Sequence, residues 1–332
     1  MSIFSFKTYP LAATSSMLGH EHSPAGLGSL RAVVLLSGSV WPRPWMAAIG
    51  RSMLDMPLKS GQSILGHWLQ EVADLAEGIP VRQLPLRVML CRAAPIPTAP
   101  RGWDHDRVPL HIERDNQDFR GTGGVLRDLA AQYHRDDYLL VASGAQVLLE
   151  ALTGLAHALG RVAGDVVLLA HGEGAPCGLM LVRCGALADI APLGFVDFKE
   201  QALPQLATRH HVNVLRRSHA ALASIGTASD YLAAVRRYAH RCRGHGAGPF
   251  GHAADHGIIE PQARVESSAI VHDTVVLAGA RVCARAIVAR SIVCEGATVT
   301  HGQVVVNRVV SSRYGTLDRQ TNGGRAPALA YA

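Results

Sequence analysis

From Ile270 onward an apolar residue recurs every six positions: Ile270, Val276, Val282, Val288 and Cys294. A small residue stands two places before each of the first four, at Ser268, Thr274, Ala280 and Ala286. Helices repeat at 3.6 residues and strands at 2, so neither has a period of six. A six-residue step is the signature of a parallel β-helix, in which each hexad forms one short side of a coil. The apolar residue then fills the coil interior, and the small residue lets the chain turn the corner. The register slips by one to Val299 and Val305, which are again six apart. The segment 257–312 therefore reads as two to three coils of a left-handed parallel β-helix. The alternative is an ordinary antiparallel sheet with accidental spacing.

The chain has 332 residues, enough for two domains and a sizeable core. Hydrophobic residues make up 48% and charged residues 17%, which predicts that most of the chain folds. The net charge of +6 is modest and scattered. Its one local run, Arg236, Arg237, Arg241 and Arg243, reads as a solvated helix end rather than a nucleic-acid patch. Aromatics at 5% also disfavour base stacking, so no nucleic-acid partner is expected. The six cysteines are dispersed with no CxxC pair, which argues against a zinc knuckle or redox dithiol. Cys294 is assigned to the coil interior. No run of about 18 apolar residues occurs, so no membrane span is expected. Residues 1–28 lack the basic and apolar regions of a signal peptide and read as a disordered leader, which makes the cytoplasm the default location.

Ala32–Leu36 is a short, fully apolar run of the kind found in buried parallel strands. Ser63 to Glu77 has helical spacing, with Ile64, Leu65, Trp68, Leu69 and Val72 on one face and Ser63 as N-cap. Leu86–Cys91, Tyr138–Ala142, Asp165–Ala170 and Gly178–Val182 read as further strands. Gly124–Tyr133, Gln146–Leu159, Phe198–Thr208 and Ala228–His240 read as helices. Alternating strands and helices predict an α/β domain over 29–241, built on a mostly parallel sheet covered on both faces. A Gly- and His-rich linker over 242–256 leads to the coils, and a flexible tail over 313–332 follows them.

Four stretches together resemble the sugar-1-phosphate nucleotidyltransferases. Gly121-Thr122-Gly123-Gly124-Val125-Leu126 is similar to their G-T-A-G-A-L segment. Tyr138 to Ala145 resembles their strand ending in N-G-D, and Asp197 to Pro204 their D-x-x-K/E-x-x-L-P helix. Ser224 to Tyr231 resembles their D-I-G-T-P-x-D-Y turn. Pro57 to Gln70 is similar to the helix start that precedes these motifs. A β-helix after such a domain is the arrangement of mannose-1-phosphate guanylyltransferase-like members. The resemblance spans residues 31 to about 310. It implies a Rossmann-like nucleotidyltransferase domain followed by the β-helix. It also implies attack of a sugar phosphate on the α-phosphorus of a nucleoside triphosphate, assisted by Mg²⁺.

Position by position, the catalytic motifs are degenerate. The family phosphate loop L-x-G-G-x-G-x-R falls on Leu36 to Arg43. Gly38 and Arg43 are retained, Ser39 and Trp41 replace glycines, and Pro42 lacks an N–H. The lysine of the P-K-P motif falls on Met53, with Lys59 the nearest cation in sequence. The two metal-binding aspartates fall on Ala145 and Ser224. Mg²⁺ requires carboxylate oxygens that neither residue supplies. No E-K-P segment occurs, Pro176 replaces the sugar-site Asn, and the interval from Ala145 to Gly178 is short for the family. The nucleotide-binding candidates are Gly38, Arg43, Gly121, Thr122, Gly123 and Gly124. No catalytic or metal residue is assigned with Met53, Ala145 and Ser224 at the family positions, and no cofactor is expected unless the chain is active and takes Mg²⁺.

Other groupings read as structural. Asp104-His105-Asp106 and His20-Glu21-His22 lie in polar segments with no second ligand cluster. His210-His211 follows a helix end, where a dipole interaction suffices. Gly121–Gly124 heads a helix and serves either an anion or only a tight turn. Three functions follow. The preferred one is a catalytically deficient homologue acting as a binding, regulatory or scaffold subunit in nucleotide-sugar or polysaccharide metabolism. The second is an active nucleotidyltransferase with a rearranged site using Asp197 or Glu200. The third is a β-helix acyltransferase using His272 or His301. The expected partners are a nucleotide or nucleotide sugar, and a second copy or a family paralogue.

Overall fold

The computed structural model describes residues 26–37, 44–115, 120–172, 174, 176–192, 194–243 and 257–318. Nearly all of the leader, the phosphate-loop positions Gly38 to Arg43, almost all of the linker and most of the tail lie outside the described residues, as does His20-Glu21-His22.

The first domain is built on a seven-stranded sheet. Its spatial order is Val212–Arg217, Val166–His171, Pro176–Arg183, Tyr138–Ser143, Leu30–Ser37, Leu86–Leu90 and Leu110–Arg114. The apolar run on Leu30–Ser37 has a direct physical basis. Val33 and Leu35 pack into the larger core on one face, while Ala32 and Val34 pack into the second core on the other. A strand covered on both sides has no polar alternate face.

The sheet is parallel except at Pro176–Arg183, which runs antiparallel to both of its neighbours. Two strands are not legible in the sequence, Leu110–Arg114 and Val212–Arg217. Both are edge strands that carry charged residues and are only partly buried, so neither shows an apolar run.

The helix Ile64–Glu77 forms as its spacing predicts. Ser63 Oγ accepts from Gly66 N–H at 3.1 Å, and Ile64, Leu65, Trp68, Leu69 and Val72 are buried. The expected helix over Gln146–Leu159 is corrected in part. Gln146–Leu148 is a strand paired antiparallel with Leu222–Ser224, and the helix begins only at Leu152. Ladder pairing of the Gln146-Val-Leu run outweighs its helical spacing. The segment Phe198–Thr208 splits into a π-helical turn at Phe198–Ala202 and a helical turn at Leu203–Leu206.

The C-terminal segment consists of short parallel strands in three sheets. Ile258 pairs with Val275, Val275 with Ile292 and Ile292 with Val309, each a step of 17 residues. The other two sheets repeat this step through Arg264, Arg281 and Thr298, and through Ile270, Ile287 and Val304. A coil thus has two sides of six residues and one of five. These parallel strands are consistent with a β-helix. The interior holds Val276, Val282, Val288, Val293, Val299, Val305 and Val310, with Ala280, Ala286 and Ala297.

The short third side corrects the register at two positions. Ile270 is 59% exposed, and its neighbour Val271 packs inward. Cys294 is buried, but against the α/β domain, while Val293 occupies the coil interior. The expected corner at Ser268 is likewise taken by Ala269. Strict six-residue counting places Val276, Val282 and Val288 correctly and fails wherever it crosses a five-residue side.

One outer face of the coil is fused to the α/β domain. Val275, Leu277, Ile292, Cys294 and Val309 share a single core with Trp45, Ala48 and Ile49 of the helix Pro44–Ile49. Polar contacts pin the same junction. Arg51 pairs with Glu260 at 3.0 Å, and Ser311 Oγ donates to Ala48 O at 3.1 Å. Among the described residues no helix is long and apolar enough to cross a membrane.

Candidate functional site

The site of interest lies where strand Tyr138–Ser143 ends. Gly144 N–H donates to Leu36 O at 2.8 Å, and a Cβ on Gly144 would stand 2.8 Å from Ser37 Cβ. Only glycine permits this approach. The chain then turns into Gln146–Leu148, where Gln146 sits directly opposite Ser224. Ile225 N–H donates to Ala145 O at 2.8 Å. Ala145 and Ser224 therefore stand diagonally at the same end of one antiparallel ladder, although they are far apart in sequence.

Between these strands stands Gln146, which the sequence reading did not single out. It is 2% exposed. Its Nε2 donates to Cys177 O and, at 3.2 Å, to Ser224 Oγ. Its Oε1 is buried with no hydrogen-bond partner. Room for the amide comes from Gly178, which has φ +86° and where a Cβ would stand 2.6 Å from Gln146 Nε2. The available signal was a lone polar residue beside Ala145 in an otherwise apolar run.

The residues present do not fit a Mg²⁺ ion. The ion binds through one or two carboxylates at octahedral oxygen positions. Here Ala145 offers a methyl group, Ser224 a neutral hydroxyl, and Gln146 turns an N–H donor toward that hydroxyl. Among the described residues no group of three or more His, Cys, Asp or Glu side chains is placed to hold a metal ion.

The suspected replacement ligands have other work. Asp197 Oδ1 caps the turn after it, accepting from Lys199 N–H at 2.8 Å and Glu200 N–H at 2.9 Å. Glu200 is exposed. Desolvation pulls the Lys199 pKa below the ordinary lysine value, against the opposing pull of Asp197 and of Cys177. Burial pushes the Cys177 thiol up, and its Sγ donates to Leu169 O at 3.3 Å, so it is a poor nucleophile at neutral pH.

The glycine run meets protein rather than open space. Gly121 has φ +68°, and a Cβ there would overlap Val196 O. Gly123 N–H donates to Val196 O at 2.9 Å, and Thr122 Oγ1 accepts from Phe198 N–H at 3.0 Å. A Cβ on Gly124 would meet Arg120 Cβ at 3.0 Å. The first turn of helix Gly121–Ala130 thus clasps the segment leading to the Phe198 turn.

Met53 is buried in a short turn capped by Ser52, whose Oγ accepts from Leu54 N–H at 3.3 Å. Lys59 is exposed on a hairpin and lines a cavity of about 120 Å³ with Asp55 and Glu260, on the coil side of the domain. The structure therefore brings together Ala145 and Ser224 and leaves Met53 in the core. His210 departs from the expected dipole contact: its Nε2 lies 2.9 Å from Asp189 Oδ2, and its Nδ1 lies 3.5 Å from Asp165 Oδ2. His105 stacks on Trp103 at 5.5 Å between ring centroids. His272 and His301 are exposed on the coils.

No protein-family model matches the sequence, and no curated protein matches it. Solved structures do show similarity. HddC from Yersinia pseudotuberculosis matches at 15% identity over 63% of this chain and 100% of that one, with a TM-score of 0.41. A homologue of Mycobacterium tuberculosis rv0371c from Mycobacterium sp. strain JC1 matches at 15% identity over 64% and 98%, with a TM-score of 0.42. A candidate glucose-1-phosphate thymidylyltransferase from Bacillus anthracis, in complex with sucrose, matches at 9% identity over 63% and 95%, with a TM-score of 0.46.

Proposed function

We propose that this chain is a catalytically deficient relative of the sugar-1-phosphate nucleotidyltransferases, with a left-handed β-helix as its second domain. On this reading it serves as a binding, regulatory or scaffold subunit in nucleotide-sugar or polysaccharide metabolism. The observation that carries it is that Ala145 and Ser224 stand at the same end of one ladder, with the Gln146 amide bonded to Ser224. These are the two positions at which the resemblance demands metal-binding aspartates, and their proximity is what a shared metal site in an ancestor requires. The ordered motifs in the sequence and the seven-stranded α/β sheet support the same ancestry. Losing metal assistance removes several kcal/mol of transition-state stabilisation, which is three or more decades of rate.

An active enzyme with a rearranged site is disfavoured by the capping role of Asp197, which already engages its Oδ1. The test is pyrophosphate release by the purified chain with a panel of nucleoside triphosphates and sugar 1-phosphates in Mg²⁺. Turnover above the buffer rate would overturn the reading. A thermal-shift screen of the same nucleotides and of nucleotide sugars tests the binding role, since a ligand selective for the folded state raises stability by RT ln(1 + [L]/Kd).

A further inference from the structure

We infer that Gln146 takes the place of a metal ion as the pin that fixes the cleft floor, so that this floor is organised without a divalent cation. The inference rests on the reading of Ala145 and Ser224 as former metal-ligand positions. A shared metal would tie the turn before Gln146 to the strand before Ile225. Here the backbone ladder holds those two segments, and one amide reinforces that tie and adds another. Its Nε2 bonds both Ser224 Oγ and the carbonyl of Cys177, so it joins Leu222–Ser224 to Pro176–Arg183 of the main sheet.

Three features mark the amide as built for this role. Gly178 is the one residue type that accepts φ +86° and leaves the amide its space. The backbone of Gln146 is itself held, because Trp68 Nε1 donates to its carbonyl at 3.2 Å. The amide also leaves Oε1 buried and unpartnered, a cost that a valine or leucine in this apolar strand would avoid. A residue kept at that cost is kept for its N–H groups. Gln146 is a positioning residue: it sets the relation of the Ser224 turn to the sheet and touches no reacting atom.

The experiment compares the full chain with Gln146→Leu, Gln146→Glu and Ser224→Ala. Melting temperature is read in EDTA and in millimolar Mg²⁺, and hydrogen exchange is read over 176–178 and 222–225. The wild type is expected to melt at the same temperature in both buffers. Gln146→Leu should speed exchange in both segments by about tenfold, the scale of a lost buried hydrogen bond. Ser224→Ala should do so only over 222–225. Gln146→Glu places a carboxylate against Cys177 O and should melt lower in EDTA, then recover in Mg²⁺. A wild-type melting temperature that rises with Mg²⁺ would overturn the inference. So would unchanged exchange in Gln146→Leu, or a Gln146→Glu variant indifferent to the metal. If Gln146→Glu does not fold, the two other variants still decide. Metal-independent turnover by the wild type would refute the proposed function and leave this pin intact, so the two failures are distinguishable.

Discussion

Replacing Val282 with Asp, beside Ile270→Asp as its partner experiment, tests the coil register directly. Val282 is fully buried in the coil interior, between Arg281 and Cys283, and pairs in register with Val265 and Val299. Removing its side chain from the core forfeits about 1.5–3 kcal/mol of apolar burial. The aspartate then buries a carboxylate with no cation in the valine-lined interior, which adds several kcal/mol more. The sum approaches the whole stability of a typical domain, about 5–15 kcal/mol. The coil shares a continuous core with the α/β domain through Val275, Ile292 and Val309, so damage should not stay local. A urea melt followed by far-UV circular dichroism should show Val282→Asp unfolded or shifted by at least 4 kcal/mol, on the order of a buried unpaired charge. Ile270→Asp, at a position 59% exposed, should stay within about 0.5 kcal/mol of the wild type. Equal damage from both substitutions, or none from Val282→Asp, would refute the alternation of six- and five-residue sides.

Acid should destabilise the chain through His67. Burial lowers its pKa to about 4, whereas an unfolded histidine titrates near 6.5, so its stabilising contribution is complete above pH 6.5 and is lost as the pH falls toward 4. The loss amounts to roughly 2–3 kcal/mol and should be absent from the difference between pH 7 and 4.5 in His67→Gln, measured by urea melts. Gly178→Ala should lower stability by about 1–3 kcal/mol, because the methyl group would both strain φ +86° and meet Gln146 Nε2 at 2.6 Å; an unshifted melt would place the amide elsewhere. The double change Ala145→Asp and Ser224→Asp should melt lower in EDTA and recover in Mg²⁺, without gaining pyrophosphate release; metal-dependent turnover would show that the aspartates alone were limiting.

The legible parts of this molecule are those in which one physical rule acts alone. The Ala32–Leu35 strand reads from sequence because burial on both faces leaves no room for polar residues. The Ser63 cap and the apolar stripe of the following helix read because capping and burial agree. The C-terminal parallel strands read because their spacing repeats. What was missed depends on partners distant in sequence. Ile270 and Cys294 were misplaced because the five-residue side breaks the count, and only pairing 17 residues away shows where. The strand Gln146–Leu148 looked helical because its partner lies across the chain at Leu222–Ser224. The glycines at 121 and 123, open to either a ligand or a tight turn from sequence, approach the backbone of Val196. Gly38 and Arg43 lie outside the described residues.

On the proposed function, a chain of this layout loses its chemistry and keeps its fold. The two cores of the α/β domain are apolar, and the larger one runs up to the cleft through Val147, Leu148, Ala223 and Ile225. On the proposed function, two carboxylates at positions 145 and 224, which stand at the same end of one ladder, would repel each other unless a cation stood between them. A metal site of that kind is a stability liability in the metal-free state. On the same reading, Ala145 and Ser224 relieve that repulsion, and Gln146 bonds the hydroxyl that remains. What remains on this reading is an α/β domain still joined to the C-terminal strands through Arg51, Glu260 and the shared core.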